Sequence, residues 1–270
     1  PYFPDSAGKL LAKYDAFVLV GAPQPTAFFG YEGGATLLLP DEAPRVRIDT
    51  FKQDAAAVLE ALSSFLGPDV GREALAPLMG QQAIPGLPTG ALTAEKMCAA
   101  VAALQPEGCI LVEEGISSAV SYYSHSPYLK PYTHLTLTGG SIGMGMPLAL
   151  GAALAEPDRQ VITIQADGSA MYTPQALWSQ AREQARVITV ICSNRTYFTI
   201  ELEYLRAGYG QPGEAAQSLM SLDAPPLDFE SLSRGMGVPA ARVDTVERFI
   251  AEFRKGLAHQ GPCLIEAILK

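Results

Sequence analysis

At 270 residues the chain is long for one ordinary domain and short for three. With 48% hydrophobic and 17% charged residues it has enough apolar material for a core, which excludes a disordered tail or a coiled coil. Lys and Arg number 19 against 28 Asp and Glu, a net charge of −9, and an acidic chain without a basic cluster is a poor binder of nucleic acid or anionic membrane, where Lys and Arg must meet phosphate.

In chain order, continuous β-branched runs predict strands at Ala16–Val20 and Val46–Ile48, then a helix over Asp54–Leu66. Residues 67–90 carry nine Gly and Pro (Gly67, Pro68, Gly71, Pro77, Gly80, Pro85, Gly86, Pro88 and Gly90), and 68–90 therefore reads as an interdomain linker. Beyond it come a helix over Ala94–Leu104, a strand at Cys109–Val112 and a helix over Met146–Ala155. A strand at Val161–Gln165, a helix over Pro174–Glu183 and a strand at Val187–Cys192 follow. Thr173 before Pro174 reads as a hydroxyl cap followed by proline in the first turn. Helices over Phe229–Met236 and Val246–Leu257 and a strand at Cys263–Ala267 complete the pattern. Continuous rather than alternating apolar strands, spaced by helices, predict an α/β fold: a doubly wound, mostly parallel sheet with helices on both faces. Residues 1–67 offer two strands and about one helix, too few for an α/β core, so the chain is expected to begin partway through a domain.

Met146–Ala155, the longest uncharged and mostly apolar run, is about half as long as a membrane-spanning helix. No charged segment leading into an apolar one opens the chain, so no secretory leader is expected. Cys98, Cys109, Cys192 and Cys263 form no C-x-x-C pair, and three of them lie beside or inside apolar strands. Buried reduced thiols in a reducing cytoplasm fit this pattern. His125, His134 and His259 share no metal spacing and are expected in loops or on the surface. Leu177 and Trp178 are expected in the core. Glu113 and Glu114 end a strand, where one member should face solvent; an acid–base role for Glu114 is the alternative.

The chemistry concentrates between Val161 and Tyr197. One strand runs into Asp167-Gly168-Ser169, a helix follows, and a second strand runs into Asn194-Arg195-Thr196. In a strand–helix–strand unit the strands are parallel, so Asp167 and Asn194 arrive at one sheet edge, the edge at which open α/β sheets bind ligands. A carboxylate, an amide oxygen and a nearby main-chain carbonyl are three hard ligands for Mg²⁺, which leaves its other positions to water or phosphate. Gly168 lets the main chain come close, and N–H groups around Ser169 suit diphosphate oxygens. No G-x-x-x-x-G-K-[ST] motif supplies a lysine, so a diphosphate here needs a metal. Each loop alone would also read as an ordinary turn.

The D-G-S, helix, S-N-R-T arrangement resembles the thiamine diphosphate motif of the acetolactate synthase and 2-oxo acid decarboxylase superfamily. The run Ala166–Trp178 is especially similar to benzoylformate decarboxylases. Gly139–Gly145 resembles the family segment lying against the cofactor's rings, and Leu111–Ser118 the strand and loop reaching the diphosphate from the other side. The resemblance implies that residues 91–270 form a complete diphosphate-binding domain, and that 1–67 is the C-terminal half of the central domain. It implies Mg²⁺ on Asp167, Asn194 and the Thr196 carbonyl. The diphosphate would meet Gly168, Ser169, Tyr197 and Phe198 through main-chain N–H groups or side chains, with Ile116 and Ser117 completing the clamp. The Gly140 carbonyl would accept from the 4′-amino group, and Ile142 would hold the cofactor bent. Thr199, Ile200 and Glu203 fall where the family lines its substrate pocket. Ala166 and Ser193 stand where the family usually has Gly and Asn, and Phe198 where a small residue is common. These changes spare the metal ligands.

The family's catalytic glutamate lies on an N-terminal pyrimidine-binding domain that this chain does not contain. No catalytic residue is therefore assigned here, and the chain is expected to be inactive alone, within a homodimer or homotetramer acting on a small 2-oxo acid. Two alternatives stand beside decarboxylation. One is carboligation of the acetolactate synthase type. The other is a non-catalytic nucleotide- or cofactor-binding module, for which Gly140–Gly145 offers only a partial dinucleotide fingerprint, because Leu148 stands where its third Gly should be.

Overall fold

The computed structural model describes residues 3–48, 52, 54–68, 86–126 and 129–270. Most of the expected linker, residues 69–85, lies outside the described residues. The chain divides into two compact units, residues 1–80 and 81–270.

In the first unit, α1 (Pro4–Leu11) starts with proline in its first turn, where the missing N–H costs no hydrogen bond. Strands β1 (Phe17–Leu19) and β2 (Arg45–Arg47) pair in parallel, Val18 opposite Val46. Helix α2 (Ala55–Leu66) is capped by the Asp54 carboxylate, which accepts from the N–H groups of Ala56 and Ala57 at 2.9 and 3.3 Å.

The second unit begins with α3 (Ala94–Leu104), capped by the Thr93 hydroxyl, and β3 (Ile110–Glu114). A one-turn helix, α4 (Tyr122–His125), leads to β4 (Thr133–Thr136). Then come α5 (Gly145–Ala155), β5 (Val161–Ala166), the short α6 (Asp167–Ala170), α7 (Ala176–Arg182) and β6 (Val187–Ser193). Helices α8 (Phe198–Arg206), α9 (Glu214–Met220) and α10 (Phe229–Gly235) precede β7 (Ala240–Val243), α11 (Val246–Ala258) and β8 (Cys263–Ile268).

The six strands form one sheet in the order β4-β3-β5-β6-β8-β7, every pair parallel. Helices cover both faces. On one face Leu111, Ile162, Ile164, Val190 and Ile265 pack against Met97 and Val101 of α3 and Phe249 and Phe253 of α11. On the other, Val112, Val161 and Val187 pack under Ala149, Ala152 and Ala153 of α5, while Met146, Leu177, Ile191, Phe229 and Leu264 form a neighbouring cluster. Strands β3, β5 and β6 are buried along their whole length or nearly so, which is why they read as unbroken apolar runs.

Several expectations need correction. Strands β4 (THLT) and β7 (AARV) occupy the two sheet edges, partly exposed and only four residues long, with too few large apolar residues to carry the strand signal. His134 is therefore on a strand rather than in a loop. Helix α7 begins at Ala176, not at Pro174, and Thr173 does not cap it; the Thr173 hydroxyl donates instead to the Gly143 carbonyl. Leu177 is buried, but Trp178 is 54% exposed, with the Arg182 guanidinium 5.7 Å from its ring centre. Among the described residues, no helix is long and apolar enough to cross a membrane.

Candidate functional site

The chain runs from β3 outward to β4 and then crosses back to β5 on the other side of β3. Connections leaving in opposite directions open a crevice between the carboxyl ends of β3 and β5, the switch point at which doubly wound sheets bind ligands. Asp167 follows β5, and Asn194 follows β6, whose Cys192 pairs with Ala166. Both therefore stand on this carboxyl edge, as the spacing requires.

A direct hydrogen bond ties the two loops together. Asp167 is 3% exposed; its Oδ2 accepts from the Arg195 N–H at 2.7 Å and its Oδ1 from the Gly168 N–H at 2.8 Å. Burial raises the carboxyl pKa above its ordinary value, while these main-chain donors pull it down. Asn194 Oδ1 accepts from the Thr196 N–H at 3.1 Å. Arg195 between them takes a left-handed conformation, φ +60°, unusual for a residue with a side chain. The loop is anchored to the end of α9 and the residues after it, with Met220 accepting from Tyr197 N–H at 2.8 Å and from the Thr196 hydroxyl at 3.2 Å, and Arg195 accepting from Leu222 N–H at 2.9 Å.

The structure refines how the remaining residues can act. The Tyr197 N–H is committed to Met220, which leaves its phenol; the ring lies over Gly168, where a Cβ would sit 2.5 Å from Tyr197 Cε1. The Ser169 hydroxyl accepts from Gln165 Nε2 at 2.7 Å and donates to the Ala166 carbonyl at 3.3 Å, so its main-chain N–H is the group left for an anion. The side chain of Phe198 is 43% exposed at the start of α8, and Ile142 is 39% exposed. Gly140 stands on the exposed loop before Ile142. Ser117 is half-buried beside Ile116, whose φ of +50° is strained for a β-branched residue. In α8, Thr199 and Glu203 are half-buried and Ile200 exposed.

Neither glutamate at the end of β3 faces solvent, contrary to expectation. Glu113 Oε1 accepts from the N–H groups of Gly115 and Ile116 at 2.9 and 3.2 Å, and Oε2 from the Tyr123 hydroxyl at 2.8 Å. Burial pushes its pKa up. Glu114 is fully buried and accepts from the N–H groups of Gly143 and Gly145. The only sequence signal for this was two acids closing the apolar run Ile110–Val112, a place where a carboxylate is buried only if main-chain donors meet it.

The donor set suits a magnesium diphosphate. Its oxygens are hard, and one is a buried carboxylate whose charge is otherwise balanced by N–H groups alone. Among the described residues there is no cluster of three or more His, Cys, Asp and Glu, the kind of set that suits zinc.

A parallel sheet whose switch-point crevice is walled by glycine loops and a buried carboxylate defines a class, the α/β domains that take an anionic cofactor tail at the carboxyl edge. The chain belongs to the thiamine pyrophosphate enzymes, residues 116–267 matching the model of their C-terminal TPP binding domain. It is 40% identical over 269 residues to the acetolactate synthase-like protein IlvX of Mycobacterium tuberculosis, covering 99% of this chain and 51% of that one. It is 33% identical over 277 residues to a benzoylformate decarboxylase of Pseudomonas aeruginosa, covering 96% and 49%. Among solved structures, the thiamine diphosphate-dependent 4-hydroxybenzoylformate decarboxylase of Rhodococcus jostii RHA1 superposes with a TM-score of 0.80 at 28% identity, over 100% of this chain and 51% of that one. The chain thus spans about half the length of the relatives it matches.

Proposed function

We propose that this chain is the cofactor-tail half of a thiamine diphosphate- and Mg²⁺-dependent enzyme that decarboxylates 2-oxo acids. Residues 91–270 are its diphosphate-binding domain, and 1–67 the C-terminal half of its central domain. Asp167 and Asn194 hold Mg²⁺ through side-chain oxygens and Thr196 through its carbonyl. Ile116, Ser117, Gly168, Ser169, Tyr197 and Phe198 surround the diphosphate. The Gly140 carbonyl accepts from the aminopyrimidine, and Ile142 packs against the middle of the cofactor. When bound, the cofactor supplies an electron sink that lets carbon dioxide leave a 2-oxo acid. The chain's own residues bind, orient and neutralise; the proton-handling glutamate comes from an N-terminal pyrimidine-binding domain, and the whole enzyme is a homodimer or homotetramer in the cytoplasm.

The observation that carries this reading is the convergence of Asp167 and Asn194 on one sheet edge, joined through the Arg195 N–H. The 40% identity to an acetolactate synthase-like protein favours carboligation as the second reading. Calorimetric titration tests the site. Thiamine diphosphate should bind only with Mg²⁺, and Asp167→Ala or Asn194→Ala should abolish the metal-dependent part. Binding of NAD in its place would favour a nucleotide-binding module. A screen of 2-oxo acids with the enzyme carrying its N-terminal domain then separates decarboxylation from carboligation.

A further inference from the structure

Glu114 has no part in the proposed function, yet it is fully buried at the mouth of the crevice. Its two carboxylate oxygens take the N–H groups of Gly143 and Gly145, residues 29 and 31 positions away in the chain. The loop between is pressed onto the strand ends. A Cβ on Gly145 would lie 2.2 Å from Gln165 Oε1 and 3.0 Å from Glu114 Oε2, and one on Gly143, whose φ is +93°, would lie 2.6 Å from Tyr172 Cβ. The Thr173 hydroxyl holds the Gly143 carbonyl from the other side. Gly140 and Ile142, by contrast, are exposed, so nothing in their own burial holds them in place.

We propose that Glu114 is a positioning residue: by clamping Gly143 and Gly145 it sets the Gly140 carbonyl and Ile142 for the thiamine end of the cofactor. This rests on the cofactor assignment made above. A carboxylate suits the task because it is acceptor-only and meets two N–H donors at once, whereas an amide would bring its own N–H₂ against one of them. The diphosphate end rests on the loops at Asp167 and Asn194 and on Ile116 and Ser117, whose turn is held by Glu113 rather than Glu114, so the two ends of the cofactor respond separately.

The test uses the full chain with Mg²⁺ and two probes, thiamine diphosphate and inorganic pyrophosphate. Glu114→Gln should weaken thiamine diphosphate by about tenfold or more, the scale of one lost charge-assisted hydrogen bond, and leave pyrophosphate within about twofold. Glu114→Asp, which keeps the acceptor but shortens its reach, should fall between. Equal weakening of both probes would mean a structural role only, and no weakening of either would overturn the proposal. If the unsubstituted chain bound neither probe, the cofactor assignment itself would fail and the proposal with it. Should the variants not fold, hydrogen exchange on the unsubstituted chain decides. The Gly143 and Gly145 amides should be protected well beyond those of Ser141 and Ile142; equal exchange along the loop would overturn the clamp.

Discussion

Asp167 is a carboxylate removed from water, with main-chain N–H groups as its hydrogen-bond donors. Its raised pKa means the folded chain binds this proton more tightly than the unfolded chain does. Without metal, that contribution to stability is complete below the ordinary aspartate value and is lost as pH rises through the raised one. Mg²⁺ reverses the preference, because only the deprotonated group is a ligand. Thermal melts across this window should show a Mg²⁺-induced gain in Tm that is largest at neutral pH and shrinks as the medium turns acidic, and no such gain in Asp167→Asn. The thiols make a second prediction at this scale. Burial pushes Cys98 and Cys263 up to about 12 and Cys109 up to about 11, and Cys192 well above its ordinary value. At neutral pH all four should react with a disulfide reagent such as DTNB only after denaturation.

At the scale of elements, the turn from β5 into α6 depends on close approach. Gly168 leaves room for the Tyr197 ring, and Gly168→Ala would drive a methyl to within 2.5 Å of it. Urea melts should show a loss of about 1–3 kcal/mol, typical of overpacking. Mg²⁺ binding should weaken as well, since Tyr197 continues the loop that carries Asn194 and Thr196. Helix α11 is secured differently. The Thr245 hydroxyl caps its first turn, and Phe249 and Phe253 bury its apolar face against the sheet. Phe253→Ala should cost about 3–5 kcal/mol while leaving the metal loops intact. The long buried elements were legible in the sequence because each is apolar throughout or apolar on one face. The edge strands β4 and β7 were not, because an edge is half solvated and its composition resembles a loop. Helix α7 was misplaced at its start because a Thr-Pro pair is a local signal, and Thr173 spends its hydroxyl on Gly143, a partner 30 residues away.

For the whole molecule, burial is uneven. The interior strands of the six-stranded sheet are shielded on both faces, whereas the parallel pair β1–β2 is largely exposed along both strands. A two-stranded sheet has little to hold it once a fluctuation opens it. Native-state hydrogen exchange should find the slowest amides in β5 and β6 and fast exchange throughout β1 and β2.

From the residues alone came the α/β class, the pairing of Asp167 with Asn194 and the family motif around them, because buried parallel strands and strand-end loops leave their mark in local composition and spacing. The tertiary structure alone decided that Glu113 and Glu114 both turn inward, that Gly143 and Gly145 are the distant partners of Glu114, and that Tyr197 and Ser169 have already committed a main-chain or side-chain group. Those facts depend on loops brought together by the order of strands in the sheet. A carboxylate's partner 29 residues away leaves no mark on the sequence beside it.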